Sequence, residues 1–251
     1  MKKTTNILAG AGLSLLLSAP ALAAGGSAEW GYSGKTGPEN WGDLSEAYEV
    51  CKKGLMQSPI DLGQAGAVGD LEVSVDWESA PLNMFNNGKT VQANFGKGSY
   101  MTSGGKVFSL IQVHFHTPSE HTIGGEHYPL VAHFVHATDK GELGVLGILF
   151  EEGEANVELQ TLIDNAGKVG ADAEDIKGAT FDPNGMLPDE IEVFRYMGSL
   201  TTPPCSEGVN WHVAEDTVEA SAAQIAAMEG FMGNNARPVL PLNGRLLVAP
   251  E

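Results

Sequence analysis

Two stretches between residues 108 and 136 constrain this fold most, because they alternate as β-strands and carry histidines on a shared face. In Phe108-Ser-Leu-Ile-Gln-Val-His-Phe-His116 successive side chains point to opposite sides, so Gln112, His114 and His116 emerge together and Val113 and Phe115 face away. The second stretch, Leu130-Val-Ala-His-Phe-Val-His136, follows a turn-rich segment with Thr117-Pro118, Gly124-Gly125 and Pro129, so antiparallel pairing brings His133 alongside. A lone strand histidine is ordinarily a core or surface residue, and two at i, i+2 are ambiguous. A third on a neighbouring strand, with Gln112 on the same face and Glu120 between the stretches, points to a metal site.

Three neutral imidazoles and an open position describe a catalytic Zn2+, whereas a structural zinc closes its fourth position with a protein ligand. Neutral ligands leave zinc its full charge, which lowers the pKa of a bound water to about 7. Such a site needs an oriented acceptor and a hydroxyl relay, and two candidates exist: Glu120 and the loop Ser199-Leu-Thr-Thr-Pro-Pro204. On composition alone that loop is a turn. The same residues also fit a cupin-like metal oxygenase, in which Glu120 joins the histidines to bind iron or manganese. The upstream glycine spacing suits that reading poorly, and no Pro-x-Gly-x2-His-x3-Asn element surrounds His133.

The 251 residues suit one large β-rich domain or two small ones. Lys2 and Lys3, an apolar run from Ile7 to Leu17 and Ala21-Leu-Ala23 read as a signal peptide over 1–23, cleaved after Ala23, although a retained anchor has the same pattern. A small-residue linker, 24–28, follows, and 29–251 reads as one domain without internal repeats. Export implies a periplasmic or secreted protein in an oxidising compartment. Cys51 and Cys205, an even pair, then form one disulfide or remain two buried thiols; a bond closes a loop of more than 150 residues, for which loop entropy suggests about 5 kcal/mol. With 14 basic and 32 acidic residues the net charge is −18, which makes nucleic acid and anionic lipid poor partners. After cleavage nothing in the sequence calls for a membrane, and a homodimer stays open.

Strand-like runs recur at 71–76, 90–95, 108–116, 130–136, 145–150, 192–196 and 209–213, punctuated by glycine and proline. Helical patterning is confined to 157–166 and 221–232, where Ser221 and Gln224 make a capping box. The expected fold is mainly β within the α+β class: one large, twisted, mostly antiparallel sheet with a few peripheral helices.

Taken together, Gln112-Val-His-Phe-His116, Ser119-Glu-His-Thr122, Ala132-His-Phe-Val-His136, Val145-Leu-Gly147 and Tyr196 with Ser199-Leu-Thr-Thr-Pro-Pro204 resemble the alpha-class carbonic anhydrases. The resemblance begins at Trp30-Gly-Tyr32 and Gly37-Pro-Glu-Asn-Trp41, passes through Gln57-Ser-Pro-Ile-Asp61 and Asn86-Asn-Gly88, and ends around Arg237-Pro238 and Arg245. It implies a zinc lyase that reversibly hydrates carbon dioxide to bicarbonate and a proton. His114, His116 and His133 would ligate the metal, with Gln112 accepting a hydrogen bond from His114. Thr201 would accept from the attacking hydroxide and donate to Glu120, and Thr202 would line the polar side. Val135, Val145, Leu200 and Trp211 would wall the carbon dioxide pocket; Val135 also shares a strand face with His133 by periodicity. A Cys51–Cys205 disulfide and cis bonds at Ser58-Pro59 and Pro203-Pro204 are implied as well.

Two departures stand against this resemblance. Two residues before the third ligand the family typically has glutamate, but this chain has Val131, which cannot accept the His133 N–H. Weaker zinc retention, or a catalytically weak or silent zinc-binding relative, is the consequence. Lys89 follows Asn86-Asn-Gly88 where the fastest members carry a proton-shuttling histidine, and lysine ordinarily titrates near 10.4, too high for that task. Tyr32, and behind it His127 and His212, are the other relay candidates. The remaining histidines, His121 and His136, read as hydrogen-bonded core residues.

Overall fold

The computed structural model describes residues 28–69 and 72–251, so the leader at 1–23, all but the last residue of the linker, and the first residue of the run at 71–76 lie outside it. Alternating segments build the middle of one sheet. In chain order its strands and a small hairpin are β1 (Ala67–Val68), β2 (Val73–Asp76), β3 (Ala80–Asn86), β4 (Val91–Asn94), β5 (Tyr100–Ser103), β6 (Lys106–His116), β7 (Thr122–Ile123) and β8 (Glu126–His127). Then come β9 (Leu130–Ala137), β10 (Leu143–Glu152), β11 (Glu174–Phe181), β12 (Val193–Ser199), β13 (Glu207–Ala214), β14 (Val218–Ala220) and β15 (Leu247–Ala249). The main path runs β1-β15-β12-β13-β10-β9-β6-β4-β3-β11, with β5 joining β2 to β6 and β7–β8 standing apart. Pairing is antiparallel except at β1–β15, β10–β13 and β10–β14. All seven runs read as strands are strands, with ends moved by a few residues.

Short helices α1 (Trp41–Leu44) and α2 (Val50–Lys53) lie in the N-terminal segment, while α3 (Val157–Ala166) and α4 (Ala222–Met232) cover the sheet. The Asn156 side chain accepts from the Leu159 N–H to start α3, and Ser221 and Gln224 form the reciprocal capping box that starts α4. Among the described residues no helix is long and apolar enough to cross a membrane.

The sheet separates two apolar clusters. Phe108, Leu110, Val113, Phe115, Phe134 and Phe150 pack beneath α3 and α4, while Ile60, Val131, Val135, Val145, Tyr196 and Trp211 pack on the opposite side. Strict alternation from Phe108 cannot give this arrangement, because Phe108 and Leu110 have the opposite parity to Val113 and Phe115. A β-bulge resolves it: Leu110 pairs with His136 but Gln112 pairs with Val135, leaving Ile111 as an extra, exposed residue. The expected alternation thus breaks at Ile111. Its consequence for residues 112–116 stands, since the bulge turns Gln112, His114 and His116 away from the larger core.

Candidate metal centre

Strand register sets the three histidines together. His114 lies directly across from His133, and His116 across from Val131. One ring nitrogen of each of His114, His116 and His133 lies within 4.8 Å of the other two. His114 Nδ1 is 2.8 Å from Gln112 Oε1, and His116 Nδ1 is 2.8 Å from the Asn235 carbonyl oxygen. Both acceptors hold the proton on Nδ1 and leave Nε2 as a lone pair. On the third ring, Nδ1 lies 3.8 Å from Glu120 Oε2, itself 3.5 Å from His116 Nε2, so Nδ1 is the nitrogen that His133 turns to the group.

Burial holds His114 and His133 well below the usual histidine range, helped by the neighbouring imidazoles, so both are neutral, as metal binding requires. His116 Nε2 is buried without a hydrogen-bond partner, an orphan that a cation in the group satisfies. Three imidazole nitrogen donors and no carboxylate among them fit zinc. Glu120 is not a member of the group, which removes the basis of the cupin-like arrangement.

Glu120 is fully buried, and its Oε1 accepts the Arg237 backbone N–H at 3.0 Å. Desolvation pushes its pKa up, opposed by His116, the Thr201 hydroxyl and Arg237. Thr201 is buried and Thr202 half-buried on the loop after β12. Several ties hold that loop. Ser199 Oγ accepts from the Ser58 N–H, the Trp211 indole donates to the Ser199 carbonyl, and Cys205 is bonded to Cys51 across 154 residues. The peptide bonds at Ser58-Pro59 and Pro203-Pro204 are cis, as the resemblance implied, and Thr117-Pro118 is a third.

The apolar residues gather as expected. Val135, Val145 and Trp211 are buried in the cluster that includes Val131, with Leu200 packed against it, and the Trp211 ring meets His133 at 4.9 Å between centroids.

The relay candidates separate. Tyr32 packs edge-on against Trp30 and Trp41, and burial, with the charge of Glu120, raises its phenol well above 10. Lys89 Nζ donates to the Trp30 carbonyl at 2.5 Å and sits over the Trp30 ring. His127 Nδ1 is engaged by the Ser119 carbonyl, and His212 bonds Ser103 in the sheet's interior, its neighbours in β13, Trp211 and Val213, lying in the metal-side cluster. His121 is hydrogen-bonded, to Tyr196, and His136 is buried with the backbone of Phe134 and Gly144 beside its ring, which also stacks on Trp77. Sequence reading passes over Asn235, whose side chain also ties Thr117, Lys89 and Phe115 together. No periodicity or spacing marks it, because its role comes from where the chain after α4 returns to β6.

This geometry has close counterparts. Residues 36–250 match the eukaryotic-type carbonic anhydrase family. A carbonic anhydrase of Nostoc sp. is 41% identical over 245 residues, covering 95% of this chain and 92% of its own. Among solved structures, an alpha-carbonic anhydrase of Thermovibrio ammonificans in complex with the inhibitor sulfanilamide is 45% identical with a TM-score of 0.83, over 88% of this chain and 99% of that one. An alpha-carbonic anhydrase of Photobacterium profundum is 44% identical with a TM-score of 0.81, over 88% and 100%. Histidines, loop and sheet therefore have one explanation: the chain belongs to the eukaryotic-type, or alpha-class, carbonic anhydrases.

Proposed function

We propose that His114, His116 and His133 hold zinc and that the chain hydrates carbon dioxide reversibly to bicarbonate and a proton. The observation that carries this is the convergence of three imidazole nitrogens, two of them on rings oriented by Gln112 and the Asn235 carbonyl, beside a buried Glu120. When bound, zinc lowers the pKa of water to about 7 and so supplies a nucleophile near neutrality.

The protein's own residues do the aiming. Glu120, fixed by the Arg237 N–H, accepts from the Thr201 hydroxyl, and Thr201 thereby has its own oxygen free to accept from the nucleophile. The Thr201 backbone N–H and the Thr202 hydroxyl bind the oxygens of substrate and product. Val135, Val145, Leu200 and Trp211 give carbon dioxide an apolar wall, for which dispersion and burial are the available attractions. Proton release runs to buffer, since Lys89 is engaged by Trp30 and Tyr32 holds its proton.

We further propose that 1–23 is a cleaved leader, that 29–251 is one catalytic domain, and that the enzyme works in the periplasm or outside the cell. The Cys51–Cys205 bond supports that placement.

Metal analysis paired with stopped-flow carbon dioxide hydration, before and after chelation, tests the reading. One zinc per chain and chelator-sensitive hydration are expected. Zinc without hydration leaves a silent zinc-binding relative, and iron or manganese in its place revives an oxygenase.

A further inference from the structure

Two buried ring nitrogens without partners belong to neighbouring rings on the metal side of the sheet. One is His133 Nε2 and the other is His121 Nδ1, on rings 1% and 0% exposed whose centroids lie 6.2 Å apart. Val131 precedes His133 by two residues on the same strand face and offers neither of them an acceptor. When His133 gives Nδ1 to a metal, its one proton must sit on Nε2, so that nitrogen becomes a buried donor in need of an acceptor.

The other side of His121 decides what it can offer. Its Nε2 is 2.7 Å from Tyr196 Oη, Tyr196 Oη is 2.7 Å from Ser58 Oγ, and Ser58 Oγ accepts the Ser199 N–H at 3.1 Å. This chain of hydroxyls has two polarities. If Ser58 donates to Tyr196 and Tyr196 to His121, then His121 carries its proton on Nδ1, and two buried ring N–H groups are left with nothing to accept either. If His121 donates to Tyr196 and Tyr196 to Ser58, the Nδ1 lone pair is free. The proton left over is then on the Ser58 hydroxyl, which can rotate to suit its surroundings, unlike a fixed ring N–H. A carboxylate at position 131 would favour the first polarity; valine favours the second.

We infer that His121 is the positioning residue for His133: as the Nε2–H tautomer it accepts the His133 Nε2–H on Nδ1 through one buried water, in place of the missing carboxylate. The ring centroids stand too far apart for a direct hydrogen bond between the rings, and a single bridging water is the link we assign to the two nitrogens. The Tyr196 and Ser58 hydroxyls anchor the arrangement from behind. Their place is tight, because a Cβ on Gly198 would meet both Ser58 Oγ and the Tyr196 ring. The role rests on the zinc reading above, and it gives His133 a neutral partner where a carboxylate would be charged.

The direct test needs no substitution. Histidine-ring 15N–1H correlation spectra of the zinc-loaded protein report each tautomer, and His121 is expected as Nε2–H. In Val131→Glu the carboxylate takes the His133 proton, so His121 is expected to switch to Nδ1–H and zinc release to a chelator to slow by about ten- to a hundredfold. His121→Phe is expected to speed release by a similar factor in the native background and by much less in Val131→Glu. Zinc-loaded protein with one metal per chain and His121 as Nδ1–H overturns the inference while leaving the zinc reading intact. So does His121→Phe with zinc release unchanged. A protein that binds no zinc overturns both.

Discussion

His133 and His136 stand three residues apart on β9, both buried, yet on opposite sides of the sheet they have become different things. His133 meets two other imidazoles that each spend one nitrogen on an acceptor. His136 meets Trp77, stacked at 5.7 Å, and burial drives its pKa down to about 3 although the backbone of Phe134 and Gly144 favours its charged form. Burial alone keeps either ring neutral. What makes a ligand is the neighbour that fixes which nitrogen is left bare, and only the face turned outward by the bulge at Ile111 supplies such neighbours.

The comparison breaks most visibly if the two histidines are exchanged in importance. His133→Ala removes one of three ligands, and a third of a zinc-site free energy of about 10–16 kcal/mol corresponds to a loss of about 300- to 8,000-fold in affinity. Dialysed protein should then hold far less than one zinc per chain, with hydration lost in step. His136→Phe should keep its zinc. Equal zinc loss in both variants would mean that the two faces are not distinct.

Acid sharpens the contrast. The His136 pKa falls from its ordinary 6.5 to about 3 on folding, so the unfolded chain takes up a proton that the folded chain refuses. Its contribution is complete above pH 6.5 and is lost as pH falls from there toward about 3. His136→Phe removes this loss while retaining the stack on Trp77. Between pH 7 and pH 4 the unfolding free energy of the native protein, measured in urea, should therefore fall by about 3 kcal/mol more than that of the variant. His212, whose pKa burial lowers to about 4, keeps its own smaller share in both proteins.

Much of this was legible before any coordinates. The triad, both long helices, the capping box and the cysteine pair all rest on local pattern, which alternation and capping chemistry express directly. Other elements carry no such pattern. β3 opens on Ala80-Pro81 and alternates only from Pro81 to Phe85, while β11 is a mostly exposed edge strand interrupted by Gly178 and does not alternate. The bulge at Ile111 leaves only a switch of apolar parity between Leu110 and Val113, which the run of apolar residues Leu110-Ile111 masks. Asn235 and the paired orphans at His121 and His133 are products of tertiary approach. Val131 announced that something was missing, but not what stood behind it.

A smaller effect separates the three ligands from one another. Gln112→Ala takes away the acceptor that holds His114, and the loss of such a partner commonly costs 10- to 100-fold in metal affinity. Competition with a chromogenic chelator measures it. His116 is oriented by a backbone carbonyl, which no side-chain substitution at 235 removes directly, so Asn235→Ala should act through stability more than through zinc. If Gln112→Ala leaves affinity unchanged, orientation by the strand itself is sufficient for His114.

The smallest effect concerns Lys89. Lys89 stands where the resemblance places a proton shuttle, but its ammonium donates to the Trp30 carbonyl and lies 4.9 Å from the Trp30 ring centroid. Trp30 in turn packs edge-on with Tyr32 and Trp41, so the lysine fastens an aromatic cluster of the N-terminal segment. A half-buried hydrogen bond and a cation–π contact together support an estimate of about 1 kcal/mol. Lys89→Met should lower the unfolding free energy by that amount and leave hydration in concentrated buffer unchanged, because a group already bound to a carbonyl carries no protons outward. In dilute buffer the native protein and Lys89→Met should slow together, whereas Lys89→His should slow less. A methionine variant that slows more than the native protein in dilute buffer would return the lysine to the proton path.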